Sequence, residues 1–131
     1  MLCRTTGFKP ERPPLPEDES FTVSKPKKGI ICRQCGYLIT VPENIISING
    51  SHKHTFTNPA GITFEIGCFS DAPGCLIHGV PTSEFTWFAG YQWNYAHCAG
   101  CLTHLGWFYQ GRDDSFFGLI LESLLDTTPS H

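Results

Sequence analysis

The chain has 131 residues, of which 40% are hydrophobic and 16% charged, with a formal net charge of −3. That length fits one domain, and the acidic balance argues against a sequence-independent grip on nucleic acid or acidic lipid. Its apolar runs are too short for a membrane-spanning helix, and no secretory leader is visible. With Met1 as the native start the protein is expected in the cytoplasm, and outside the cell if a leader has been removed.

Ten of the 21 charged residues and five of the ten prolines fall in residues 1–28. So few apolar groups cannot repay the entropy of ordering such a stretch, which predicts a disordered tail over residues 1–29. A Pro-rich docking peptide around Pro13-Pro14-Leu15-Pro16 is the functional alternative. From Ile30 onward the sequence carries only three basic and eight acidic residues but all the Trp and Tyr. This is the folded domain, 30–126, followed by a short C-terminal tail, 127–131. Strand-length runs rich in β-branched and aromatic residues follow one another: Ile45–Ile48, Thr55–Thr57, Ile62–Ile66 and Trp93–Ala96. Turn residues punctuate them at Asn49-Gly50, Asn58-Pro59-Ala60-Gly61, Asp71-Ala72-Pro73-Gly74, Ala89-Gly90 and Gly111-Arg112-Asp113-Asp114. Residues 117–125 fit a short helix nearly as well as a strand. The domain reads as mainly β and antiparallel.

Cys32-Arg33-Gln34-Cys35 and Cys98-Ala99-Gly100-Cys101 are two Cys-x-x-Cys knuckles. Four soft thiolates suit one tetrahedral Zn²⁺, and a site closed by four protein ligands is structural. Two disulfides or a redox dithiol are the alternatives, disfavoured by a reducing compartment and by the duplication of the motif. Cys68 and Cys75 flank the Asp71–Gly74 turn and could face each other across a hairpin, as free thiols or, in an exported protein, as a disulfide. His97 and His104 flank the second knuckle and are expected to orient backbone or fill core space.

Eleven of the 17 aromatic residues lie in residues 85–117. Most are expected to build core. Trp87, Trp93 and Trp107 admit a second reading, three indoles around a gap that accepts a flat or compact ligand.

Cys32-x-x-Cys35-Gly36, Asn58-Pro59-x-Gly61, Glu84-Phe85-Thr86-Trp87-Phe88-x-Gly90-Tyr91-x-Trp93, Cys98-x-x-Cys101 and His104-Leu105-Gly106-Trp107 occur in this order. Together they resemble the CULT domain, the thalidomide-binding domain of cereblon, over residues 30–125. The resemblance implies a β-tent fold, two antiparallel sheets meeting at a steep angle and stapled by zinc. It also implies a binding module, not an enzyme, that takes cyclic imides such as glutarimides in a tri-tryptophan cage. Cyclic-imide peptide ends or uridine are the cellular counterparts it suggests. Trp87, Trp93 and Trp107 match the cage; Phe85 and Trp87 match the backbone positions that pair with the imide; Asn58 and Tyr109 match the rim. Phe85 stands where the family has histidine, so one side-chain hydrogen bond to the ligand is lost and binding should weaken. No ubiquitin-ligase docking region is visible, and a monomer is expected. The rival readings are a quaternary-ammonium or methyl-lysine cage, with Glu84 as its acidic neighbour, and a methionine sulfoxide reductase-like enzyme. The latter resembles the chain in its knuckles but would need a cysteine where Phe116-Phe117-Gly118 stands.

Overall fold

A computed structural model describes residues 29–128. Residues 1–28 of the tail predicted over 1–29, Cys3 among them, and residues 129–131 of the predicted C-terminal tail lie outside the described residues. Among the described residues nine strands form two antiparallel sheets, the mainly β, antiparallel class expected. The small sheet pairs β1 (Ile30–Cys32) with β2 (Leu38–Thr40) on one side and β9 (Leu124–Asp126) on the other. The large sheet has β3 (Lys53–Thr57), β4 (Thr63–Phe69), β5 (Cys75–Thr82), β6 (Gln92–Cys98), β7 (His104–Gln110) and β8 (Ser115–Ile120), in the order β3-β4-β8-β7-β6-β5.

Alternation along these strands sends apolar residues to both faces of the large sheet. One face packs Phe69, Ala96, Leu105, Phe117 and Leu119 against Ile30, Ile39 and Leu124 of the small sheet. The other face carries Ile66, Cys68, Trp107, Tyr109, Phe116 and Ile120, and Phe88 from the β5–β6 loop plugs onto it. Strict alternation would put Leu105 and Trp107 on the same face. Gly106 prevents this: the β6–β7 register shifts here, and Gly106 has φ +152°. The bulge turns His104 and Trp107 to the second face while Leu105 and Phe108 keep to the first.

Three expectations change. Ile45–Ile48 is not a strand; it makes only the isolated bridges Ile45–Phe69 and Ile48–Ser51. The Cys68 C=O accepts from Ile46 N–H while Cys68 N–H donates to the His52 C=O, so this segment shares the β4 edge with the approach to β3 and no ladder develops. Asp71–Gly74 is not a hairpin turn, because β4 and β5 lie four strands apart. Cys68 sits opposite Gly118 and Cys75 opposite Cys98, and both thiols are free. Residues 117–125 resolve into β8, a 3-10 turn at Leu121–Ser123 and β9. The Arg33 side chain ties that turn down by donating to the carbonyls of Glu122 and Leu124, at 3.0 and 3.1 Å. Asn49-Gly50 is a two-residue turn as its sequence suggests, both residues having positive φ.

Candidate functional site

The two knuckles are built alike. Cys32 N–H donates to the Tyr37 C=O and Gly36 N–H to the Cys32 C=O, each at 2.8 Å. Cys98 N–H donates to the Thr103 C=O and Leu102 N–H to the Cys98 C=O, again at 2.8 Å. The fifth residue of each turn, Gly36 or Leu102, has positive φ. The four sulfurs lie within 4.8 Å of one another, with Cys35–Cys98 at 3.5 Å and Cys32–Cys101 at 3.8 Å. A tetrahedron of about 2.3 Å metal–sulfur bonds has edges of roughly 3.8 Å. The donor set fits a single thiolate-bound ion, and Cys32, Cys35, Cys98 and Cys101 are the residues that could hold it. Hydrogen bonding with the Thr103 hydroxyl and backbone pulls Cys101 down to about 6, while burial raises Cys32. Against a Tyr37 backbone hydrogen bond, burial and the neighbouring thiols push Cys35 up to about 12, so an ion must displace protons to bind.

Cys68 and Cys75 are of another kind. Burial pushes Cys68 up to about 11, and burial followed by the nearby Cys98 and Cys32 pushes Cys75 up to about 12. Both are held as thiols, poor nucleophiles at neutral pH.

On the second face of the large sheet a cavity of about 340 Å³ opens between β4, β6, β7 and the β5–β6 loop. All six residues named from the sequence line it: Asn58, Phe85, Trp87, Trp93, Trp107 and Tyr109. Trp107 is only 8% exposed, and Trp87 stands edge-on to it with ring centres 4.9 Å apart. The Trp93 indole N–H donates to the Glu84 C=O at 2.8 Å, which fixes its ring against the loop. Tyr109 is 1% exposed and forms floor, not rim. Asn58 spends its side-chain oxygen on the Ile62 N–H at 2.9 Å, closing the β3–β4 turn, and so presents its amide from a fixed backbone.

The β5–β6 loop brings Phe85 and Trp87 to the cavity. Thr86 N–H donates to the Ser83 C=O, making a tight turn with Phe85 at its third position. Phe85 has φ +59°, a left-handed conformation that glycine or asparagine adopts more easily. The backbone N–H and C=O groups of Phe85 and Trp87 make no hydrogen bond among the described residues. Phe88 anchors this exposed segment in the core.

Pro59, Phe64, Tyr95 and His104 complete the lining. His104 does orient backbone, its Nε2 lying 2.9 Å from the Gly106 C=O, but it also packs edge-on against Trp107 beside the cavity. Burial, with the neighbouring imidazoles of His97 and His78, lowers its pKa below the usual histidine value against the hydrogen bond to the Gly106 C=O, which raises it. Alternation from Trp93 could have placed Tyr95 on this face; no local signal marks Phe64. Glu84 does not line the cavity, and no carboxylate does among the described residues.

No family model matches the chain. It is similar to the protein cereblon of Danio rerio, 32% identical over 108 residues that cover 77% of this chain and 25% of that protein. It is likewise similar to cereblon of Gallus gallus, 32% identical over 108 residues, covering 77% and 24%. With cereblon of Drosophila virilis the identity is 28% over 123 residues, covering 84% and 19%. The chain thus spans about a quarter or less of the length of these relatives.

Proposed function

We propose, from the premise that this chain is a cereblon-like CULT domain, that it binds cyclic imides in the aromatic cavity and holds one structural Zn²⁺ in its four cysteines. The observation that carries the reading is the unpaired backbone of Phe85 and Trp87 at a cavity walled by three indoles. A cyclic imide has one N–H donor between two carbonyl acceptors, and adjacent backbone C=O and N–H groups can meet that edge. Its methylene edge then lies against the faces of Trp87, Trp93 and Trp107. A cavity of about 340 Å³ is at the small end of ligand sites and suits a single ring with a substituent leaving by the mouth. Glutarimides, peptide ends closed into an imide and uridine all carry this edge.

The all-thiolate donor set, with its sulfurs within 4.8 Å of one another, supports the zinc assignment. Zinc there closes the knuckles to each other and supplies rigidity, with no position left for substrate. A cation cage is the weaker reading, because no carboxylate faces the cavity and Glu84 contributes only its backbone C=O to this region. The reductase-like reading is weaker still. Phe116 and Phe117 are buried on β8 where a nucleophile would be needed, and the two spare thiols are held protonated.

Tryptophan fluorescence during titration tests the proposal. Glutarimide should quench it, N-methylglutarimide, which lacks the donor, should not, and the response should vanish in Trp107→Ala while zinc content stays unchanged. Quenching by a choline analogue with none by glutarimide would transfer the cavity to the cation reading. Equal responses to glutarimide and its N-methyl form would remove the backbone-pairing argument.

A further inference from the structure

Five histidines lie among the described residues, and they divide by what their ring nitrogens do. His52 Nδ1 lies 3.2 Å from the Ile46 C=O, His54 Nε2 3.0 Å from the carbonyls of Ile48 and Ser51, and His104 Nε2 2.9 Å from the Gly106 C=O. The ring nitrogens of His78 and His97 make no hydrogen bond or ion pair among the described residues. These two are also the pair in closest ring contact, with centres 4.3 Å apart and planes inclined by 33°.

The sheet register produces the pair. Leu76 sits opposite His97 and His78 opposite Tyr95, so His78 on β5 and His97 on β6 are diagonal neighbours on one face. His78 is exposed and His97 half-buried. We propose that His78 and His97 form a second metal site, separate from the four cysteines, that takes a divalent transition-metal ion.

With a metal–nitrogen bond of about 2.1 Å, each ring centre would lie roughly 3.2 Å from a shared ion, so centres 4.3 Å apart are within the span of two imidazoles on one ion. Imidazole nitrogens suit Ni²⁺, Cu²⁺ and Zn²⁺ alike, which sets the class of ion as a divalent transition metal. The His104 ring lies 5.5 Å from that of His97, and its Nε2 bond to the Gly106 C=O leaves Nδ1 as the nitrogen that could join the pair. Tyr95, whose ring centre lies 5.9 Å from that of His78 and 6.2 Å from that of His97, lines the cavity, so the pair neighbours the cavity without lining it.

Ni²⁺ is the probe, because it does not oxidise the thiols as Cu²⁺ would. Untagged, zinc-loaded protein titrated with Ni²⁺ in a calorimeter should bind one equivalent. His78→Ala and His97→Ala should each weaken it by roughly tenfold or more, with zinc content unchanged. Paramagnetic broadening of backbone amides should centre on residues 76–78 and 95–97. The site is overturned if nickel does not bind at millimolar concentration, if His78→Ala binds as well as the unaltered chain, or if broadening centres on the cysteines. His78 is exposed, so that variant decides the matter should His97→Ala fail to fold. A failure here leaves the imide reading untouched, since no imidazole of the pair lines the cavity.

Discussion

At the scale of single residues, the two knuckles solve one problem with different side chains. Each needs its fifth position in the left-handed region, where Gly36 sits without strain and Leu102 sits at φ +67°. Leu102 is 64% exposed, so its side chain gives little burial in return. Leu102→Gly is therefore expected to stabilise the metal-loaded protein by about 1 kcal/mol, the relieved strain exceeding the added chain entropy. Urea unfolding measures it, and a lower midpoint would show that Leu102 contributes packing not evident from its exposure. Phe85 is strained in the same way and 66% exposed, yet it stands at the cavity mouth. Strain kept at a mouth whose backbone is unpaired fits a conformation held for ligand contact.

At the scale of elements, β7 connects the metal centre to the cavity. It leaves the second knuckle at His104 and reaches Trp107 three residues later, and the bulge at Gly106 decides which way each side chain faces. A Cβ at Gly106 would lie 2.2 Å from the Gly118 C=O and 2.8 Å from the Leu119 Cα, both backbone atoms of β8 that cannot step aside. Gly106→Ala should cost about 3 kcal/mol or more. Where the variant still folds, the bulge is lost or β7 moves off β8, so Trp107 and the imide response should go together. Thermal unfolding and the fluorescence titration read the two effects. Normal stability with normal quenching would mean that the bulge does not set the cavity. The β5–β6 loop is held by different means: Phe88 in the core, the Trp93 indole on Glu84, and the Tyr91 hydroxyl donating to the Asp114 carboxylate at 2.8 Å.

For the whole molecule, the small sheet has only three-residue strands, too short to persist alone. The four-cysteine cluster joins the end of β1 to the end of β6, across the interface between the sheets. Structural zinc contributes on the order of 10–16 kcal/mol in apparent binding free energy, comparable to or above a domain's net stability of about 5–15 kcal/mol. Stripping the ion with a chelator at mildly acidic pH, where the thiolates take up protons, should therefore unfold the domain cooperatively. Near-ultraviolet circular dichroism would report the loss of ordered indoles, and metal analysis should find one ion per chain beforehand. Retention of the aromatic signal after complete removal would show that the two cores suffice.

The sequence by itself determined the chemistry that depends on local spacing. Two Cys-x-x-Cys turns put each pair of thiols within chelating reach of one ion, and Asn49-Gly50 specifies its turn through backbone conformation alone. The motif order from Cys32 to Trp107 carried the resemblance to the CULT domain, and with it the six cavity residues. Tertiary structure decided what depends on which strands become neighbours. A hairpin between Cys68 and Cys75 was the reasonable local reading of Asp71–Gly74, but β8, β7 and β6 intervene between their strands. Ile45–Ile48 has a strand's composition and lacks an edge of its own to pair with. Phe64 reaches the cavity, and His78 meets His97, only through sheet order and register, because side-chain proximity across strands is set by pairing and not by distance along the chain.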